Sequence, residues 1–201
     1  MISLNEEQLD ALNEVINIGV GTAINSLNDL VQSYIKLSIP KIEFIQKSNL
    51  PKHLSANRYS IVVQSFTGSF EGVASLVFDH ETAKKLVAKV LEMPIDNPLL
   101  DTSINETLSE IGNIIINSLI GHISNILHTS LHFSLPIYTS GNIKELSKHF
   151  YLNDDDDLLL VATTKFQIQS LEVEGVILLS FPSQSIQSLL NLIFSSFENN
   201  E

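Results

Sequence analysis

The pattern Leu-x-Glu-x-x-Asn-Ile is written twice, at Leu12, Glu14, Asn17 and Ile18 and again at Leu108, Glu110, Asn113 and Ile114, a constant 96 residues apart. The same offset carries Ser38 and Pro40 onto Ser134 and Pro136. Further along, FEGVASLVF (Phe70 to Phe78) resembles VEGVILLSF (Val173 to Phe181) at an offset of 103. The run Asp154 to Asp157 marks a loop that takes up the seven extra residues. A repeat of this kind constrains the fold more than any local propensity. The chain reads as two copies of one unit, about 1–96 and 97–201, within a single domain.

Each unit has the order αβββα. Ser3-x-x-Glu6 and Ser103-x-x-Glu106 have the form of a capping box, which satisfies free N–H groups at a helix start. Long helices are therefore expected over about 4–32 and 103–128. YIKLSIPKIEFI and LHFSLPIY carry β-branched or aromatic residues around a proline, which suits an edge strand or a bulge. Two strands joined by a short turn follow, about 59–66 and 70–78 in the first unit and 158–168 and 171–181 in the second. HETAKKLVAKVL and SQSIQSLLNLIF close the units as amphipathic helices, with Asp79 and Ser183 as caps. The expected class is α+β: two long helices on a mainly antiparallel sheet with pseudo-two-fold symmetry.

On a helix, residues three or four apart share a face. Asp10, Glu14 and Asn17 thus form an outward stripe opposite Leu9, Leu12, Val15 and Ile16. Glu106, Glu110 and Asn113 repeat it opposite Leu108, Ile111, Ile114 and Ile115. Gly19, Gly21 and Gly112 sit beside the stripes. Each costs its helix about 1 kcal/mol relative to Ala, so close approach by another backbone is the expected reason. An outward Glu and Asn are ordinarily just solvated, but here both survive at one spacing while several core positions have changed.

Other chemistries fit less well. Asp10/Glu14 and Glu106/Glu110 are carboxylate pairs four apart, yet di-metal bundles draw on Glu-x-x-His, and Asn17 and Asn113 offer only neutral amides. His128 and His132 fall where the second long helix should end, without Cys or a nearby carboxylate. The Asp154 to Asp157 run lacks the alternation and Gly of a calcium loop. The formal charge of −12 would repel a phosphate backbone or an anionic membrane, which argues against nucleic acid as partner. Absence of Cys agrees with a reducing compartment. The start shows neither the basic nor the apolar region of a signal peptide. The apolar run from Ile114 to Ile120 is broken by Asn117 and Ser118 and is too short to span a bilayer. A soluble cytoplasmic protein without membrane insertion is expected.

Asp10-x3-Glu14-x2-Asn17-x22-Pro40 resembles the signature of the CheC/CheX/FliY phosphatases of bacterial chemotaxis, in which Asp or Ser leads the Glu-x-x-Asn. Glu106-x3-Glu110-x2-Asn113-x22-Pro136 fits at Glu, Asn and Pro, with Glu106 in the leading place, longer than Asp or Ser and adding negative charge. Having both copies resembles CheC more than CheX. FliM shares the fold without the phosphatase residues, so Asn17 and Asn113 argue against a purely structural homologue.

The resemblance implies hydrolysis of the aspartyl phosphate of a CheY-type response regulator. Asn17 and Asn113 would orient the attacking water, and Glu14 and Glu110 would pair with the regulator's active-site Lys. Asp10 would support the first site and Glu106 the second. Gly21 and Gly112 would give the partner clearance. Magnesium would be held by the regulator, and the protein would need no cofactor or metal of its own. The deamidase CheD is a further partner implied by the family. The alternative is a non-catalytic adaptor or flagellar-switch-type module that binds the phosphorylated regulator.

Overall fold

The computed structural model describes residues 6–31, 35–37, 41–54, 56–143, 148, 158–168 and 171–198. Helix α1 (Glu6–Val31) is followed by β1 (Ile35–Leu37), β2 (Lys41–Gln46), a 3-10 turn (Lys47–Asn49) and the short α2 (Leu50–His53). Next come β3 (Tyr59–Gly68), β4 (Gly72–Asp79) and α3 (His80–Val90). The second half runs α4 (Leu100–Ile126), β5 (Leu131–Phe133), β6 (Ile137–Gly141), β7 (Leu158–Ile168), β8 (Leu171–Ser180) and α5 (Ser183–Glu198).

Each stretch expected as one proline-containing strand is two strands, so the αβββα order is corrected at that place. In the second half the break covers Ser134 to Pro136, and Pro136 has no N–H to give to a ladder. Both split strands lie at sheet edges, as their prolines suggested. The sheet order is β1/β2, β7, β8, β4, β3, β5/β6, and every pairing among the described residues is antiparallel. β1 and β2 pair with β7 from the far half of the chain, and β5 and β6 pair with β3.

Period-two alternation sends β-strand residues to two separate cores. Val62, Phe66, Ala74, Leu76, Phe78, Leu160, Ala162, Ile177 and Leu179 join the buried faces of α1, α3, α4 and α5 in the larger one. Ile61, Val63, Val73, Val77, Leu159, Val161 and Leu178 form a second core with Ile45, Leu50 and Leu54. The sheet is thus covered on both faces at its centre, which explains why β4 reads as a nearly continuous apolar run. Helix α2, not foreseen, supplies Leu50 to the second core.

Helix α4 lies directly on the sheet. A Cβ at Gly112 would come within 2.5 Å of Val62 Cγ1, so only glycine permits this approach. Helix α1 packs along α4, with the space of a Gly19 Cβ occupied by Leu119 Cδ1 at 2.7 Å. Asp79 caps α3 as expected, accepting from the backbone N–H of Glu81 and Thr82 at 3.0 and 3.1 Å. Ser103 does not cap α4. Burial of Leu100 and Ile104 draws the helix back to Leu100, and the Ser103 hydroxyl donates to the Leu99 carbonyl at 3.0 Å instead. Ser3 and the Ser183 side chain lie outside the described residues, as does the Asp154 to Asp157 run.

Candidate functional site

On α1 the amphipathic pattern turns Leu12, Val15 and Ile16 into the core and leaves Asp10 and Glu14 exposed. The Leu9 side chain lies outside the described residues. Asn17 is only half-buried, and its Oδ1 is out of contact with solvent and has no hydrogen-bond partner among the described residues. Asn13 Oδ1, one turn earlier, is in the same condition. Beyond Asn17, Ile18 is 45% exposed and a Cβ at Gly21 would meet nothing within 4 Å. Close approach by another backbone, expected at all three glycines, is therefore corrected at Gly21, where there is open space.

On α4, Glu106 and Glu110 are exposed and Asn113 is half-buried, while Leu108, Ile111 and Ile115 face the core and Ile114 is intermediate. Gly112 is buried against the sheet, so the expectation that it gives clearance to a partner is corrected: its missing side chain admits Val62. Asn113 Oδ1 accepts from Asn117 Nδ2 at 2.8 Å, and Gln64 Nε2 lies 3.4 Å from it. Gln64, 2% exposed, donates to Asn117 Oδ1 at 3.0 Å and to the Ser134 carbonyl at 2.8 Å, while its own Oε1 is buried with no partner among the described residues. Pro136 is half-buried in the break after Ser134. Pro40 lies outside the described residues.

Gln64 and Asn117 thus adjoin the candidate site, a contact the sequence reading missed. Gln64 interrupts the run YSIVVQSF at a position facing the helices, and Asn117 breaks the apolar run of α4. A buried carboxamide at either place demands a partner, which was the available signal.

The histidines do not join these sites. His128, with φ of 50°, follows the end of α4, and His132 is exposed on β5. Among the described residues no three His, Asp or Glu side chains form a group able to hold a metal ion. His80 opens α3, where its Nδ1 lies 2.7 Å from Ser60 Oγ, which in turn lies 3.2 Å from Tyr138 Oη. Burial, with Arg58 nearby, pushes the His80 pKa below its ordinary value. Among the described residues no helix is long and apolar enough to cross a membrane.

Comparison with known proteins agrees with this architecture. The family model described as chemotaxis phosphatase CheX matches residues 60–149. A curated protein of Halobacterium salinarum named "Putative CheY-P phosphatase CheC1" is 21% identical over 188 residues, covering 92% of this chain and 96% of that protein. FliY of Thermotoga maritima superposes with a TM-score of 0.80 at 16% identity, over 97% of this chain and all of that one. FliM of H. pylori, solved with SpeE, gives 0.72 at 12% identity, over 96% and 98% of the two chains. CheX of Borrelia burgdorferi, solved with CheY, BeF3 and Mg, gives 0.54 at 17% identity, over 82% and 96%. At these identities the structural likeness is one of fold.

Proposed function

From the premise that the chain belongs to the CheC/CheX/FliY family, which the family model, the curated relative and the solved structures jointly support, we propose that it is a phosphatase for the aspartyl phosphate of a CheY-type response regulator. The observation that carries the reading is the pairing, on two helices, of an exposed Glu with an Asn amide three residues on at the helix surface. The chain acts in the cytoplasm as one domain made of two repeats, and its central strands β8 and β4 straddle the pseudo-two-fold axis.

In this reading Glu14 and Glu110 pair with the regulator's Lys and fix the docking register. Asn17 and Asn113 hold a water in line with phosphorus, a positioning role that a neutral amide fills without repelling the phosphoryl group. The water oxygen bonds to phosphorus as the bond from phosphorus to the regulator's aspartate oxygen breaks. The electron pair stays on the released carboxylate, and the water's proton passes to the departing phosphate. Asp10 and Glu106 flank the docking stripe, and magnesium is the regulator's own. CheD is a further partner by the same resemblance.

A non-catalytic adaptor is the second reading, favoured by the likeness to FliM and by the unpaired amide oxygen of Asn17. Decay of a phosphorylated CheY-type receiver domain separates the two. Acceleration by the wild type, abolished in the Asn17→Ala/Asn113→Ala double variant, supports the phosphatase. Binding without any change in phosphate lifetime leaves the adaptor.

A further inference from the structure

We propose that Gln64 and Asn117 are positioning residues that fix the Asn113 carboxamide in one orientation, so that it meets the reaction as a hydrogen-bond donor. The proposal rests on the phosphatase reading above. Asn113 Oδ1 accepts from Asn117 Nδ2 at 2.8 Å, and Asn117 is held in turn through its Oδ1 by Gln64 Nε2, whose two hydrogens go to Asn117 and to the Ser134 carbonyl. Rotation of the amide by half a turn would set N–H groups against N–H groups. What is left to a partner is the Asn113 NH2, which among the described residues donates to nothing. That group can hold one lone pair of the attacking water and leave another toward phosphorus.

The anchor of the arrangement is the broken strand. Between β5 and β6, Ser134 to Pro136 leave the ladder, and the Ser134 carbonyl turns to Gln64 Nε2 at 2.8 Å. Ser134 is itself tied to β3, its N–H donating to the Ser65 carbonyl at 2.9 Å and its Oγ accepting from the Ser65 N–H at 3.1 Å. Gln64 is thus held by an element that moves with its own strand. Through Asn117 and the buried Gln64, Asn113 is tied to the Ser134 end of the strand break. At the place on α1 that corresponds to Asn117 stands Gly21, and Asn17 Oδ1 has no donor among the described residues. Gln167 stands at the offset of 103 from Gln64, with its side chain outside the described residues.

The test uses the full chain carrying Asn17→Ala, so that only the α4 site reports, with a CheY-type receiver domain phosphorylated by acetyl phosphate as substrate. Asn117→Ala removes the donor to Asn113 without entering the core, and Gln64→Glu replaces the group that holds Asn117 with a buried carboxyl group. Both should lower kcat at least tenfold with little change in KM, since Glu110 still docks the partner. The Gln64→Glu defect should shrink as pH falls, because a protonated carboxyl regains a donor. Retention of wild-type kcat in both variants, with the parent active, overturns the positioning role and leaves the phosphatase reading intact. Loss of all activity in the Asn17→Ala parent, with Asn113→Ala still active, overturns it as well. A wild-type chain that never accelerates decay sinks the phosphatase reading and this proposal with it.

Discussion

The two Glu-x-x-Asn helices share a spacing but not a setting. On α4 the amide oxygen of Asn113 is held by Asn117, itself tied to Gln64, on a helix pressed onto the sheet. On α1 the oxygen of Asn17 is buried without a donor among the described residues, near a glycine with open space where a side chain would be. A shared motif thus states which groups reach the surface. Residues outside it decide whether those groups are held in place, because orientation depends on what lies beneath the helix.

The largest effect that separates the two helices is on rate. Loss of one oriented donor at a developing charge costs about 2–4 kcal/mol, roughly a hundredfold or more at that site. Asn113→Ala should therefore slow single-turnover decay of the phosphorylated regulator more than Asn17→Ala does, and an equal loss would erase the distinction. Next comes stability. Gly112→Ala drives a methyl into Val62, whose Cβ would lie only 2.6 Å away and has no freedom to swing aside. Overpacking of this kind costs about 1–3 kcal/mol, and the better helix propensity of Ala returns only part of it. Urea denaturation should show a lower midpoint. Gly21→Ala should raise the midpoint, through a gain in stability of up to about 1 kcal/mol, since nothing within 4 Å opposes the methyl. Opposite signs at the two glycines are expected, and the same sign at both would contradict the packing described for α1 and α4.

The smallest effect is in pH. His80, bonded to Ser60 beneath the β6 edge, has its pKa lowered in the fold, so the neutral form is favoured. Its contribution is complete above the unfolded value of about 6.5 and is lost as pH falls through the lower folded value. Between pH 7.5 and 5.5 the wild type should lose more stability than His80→Gln does. A parallel loss in both would show that His80 stays uncharged for no energetic reason.

Much of this was legible in the chain. The two long helices, the exposure of Glu14 and Glu110, the Asp79 cap and the edge position of the proline strands all follow from periodicity and residue chemistry. Ser103 misled because a capping pattern is local, while burial of Leu100 and Ile104 extends the helix from outside it. Gly112 misled because a glycine beside a polar stripe has two neighbours, solvent and sheet, and spacing alone does not say which one it serves. Gln64 was missed because its reason lies 49 and 53 residues away, on Asn113 and Asn117. Only the packing of α4 onto β3 brings them together.

The exchange of edge strands has a consequence for how such a chain comes apart. A cut between α3 and α4 would leave two fragments, each with an open sheet edge and each owning the strands that close the other. Neither fragment completes its sheet alone. Mixed together they would reassemble by trading strands, and a free copy of either would look for the same bond in its twin.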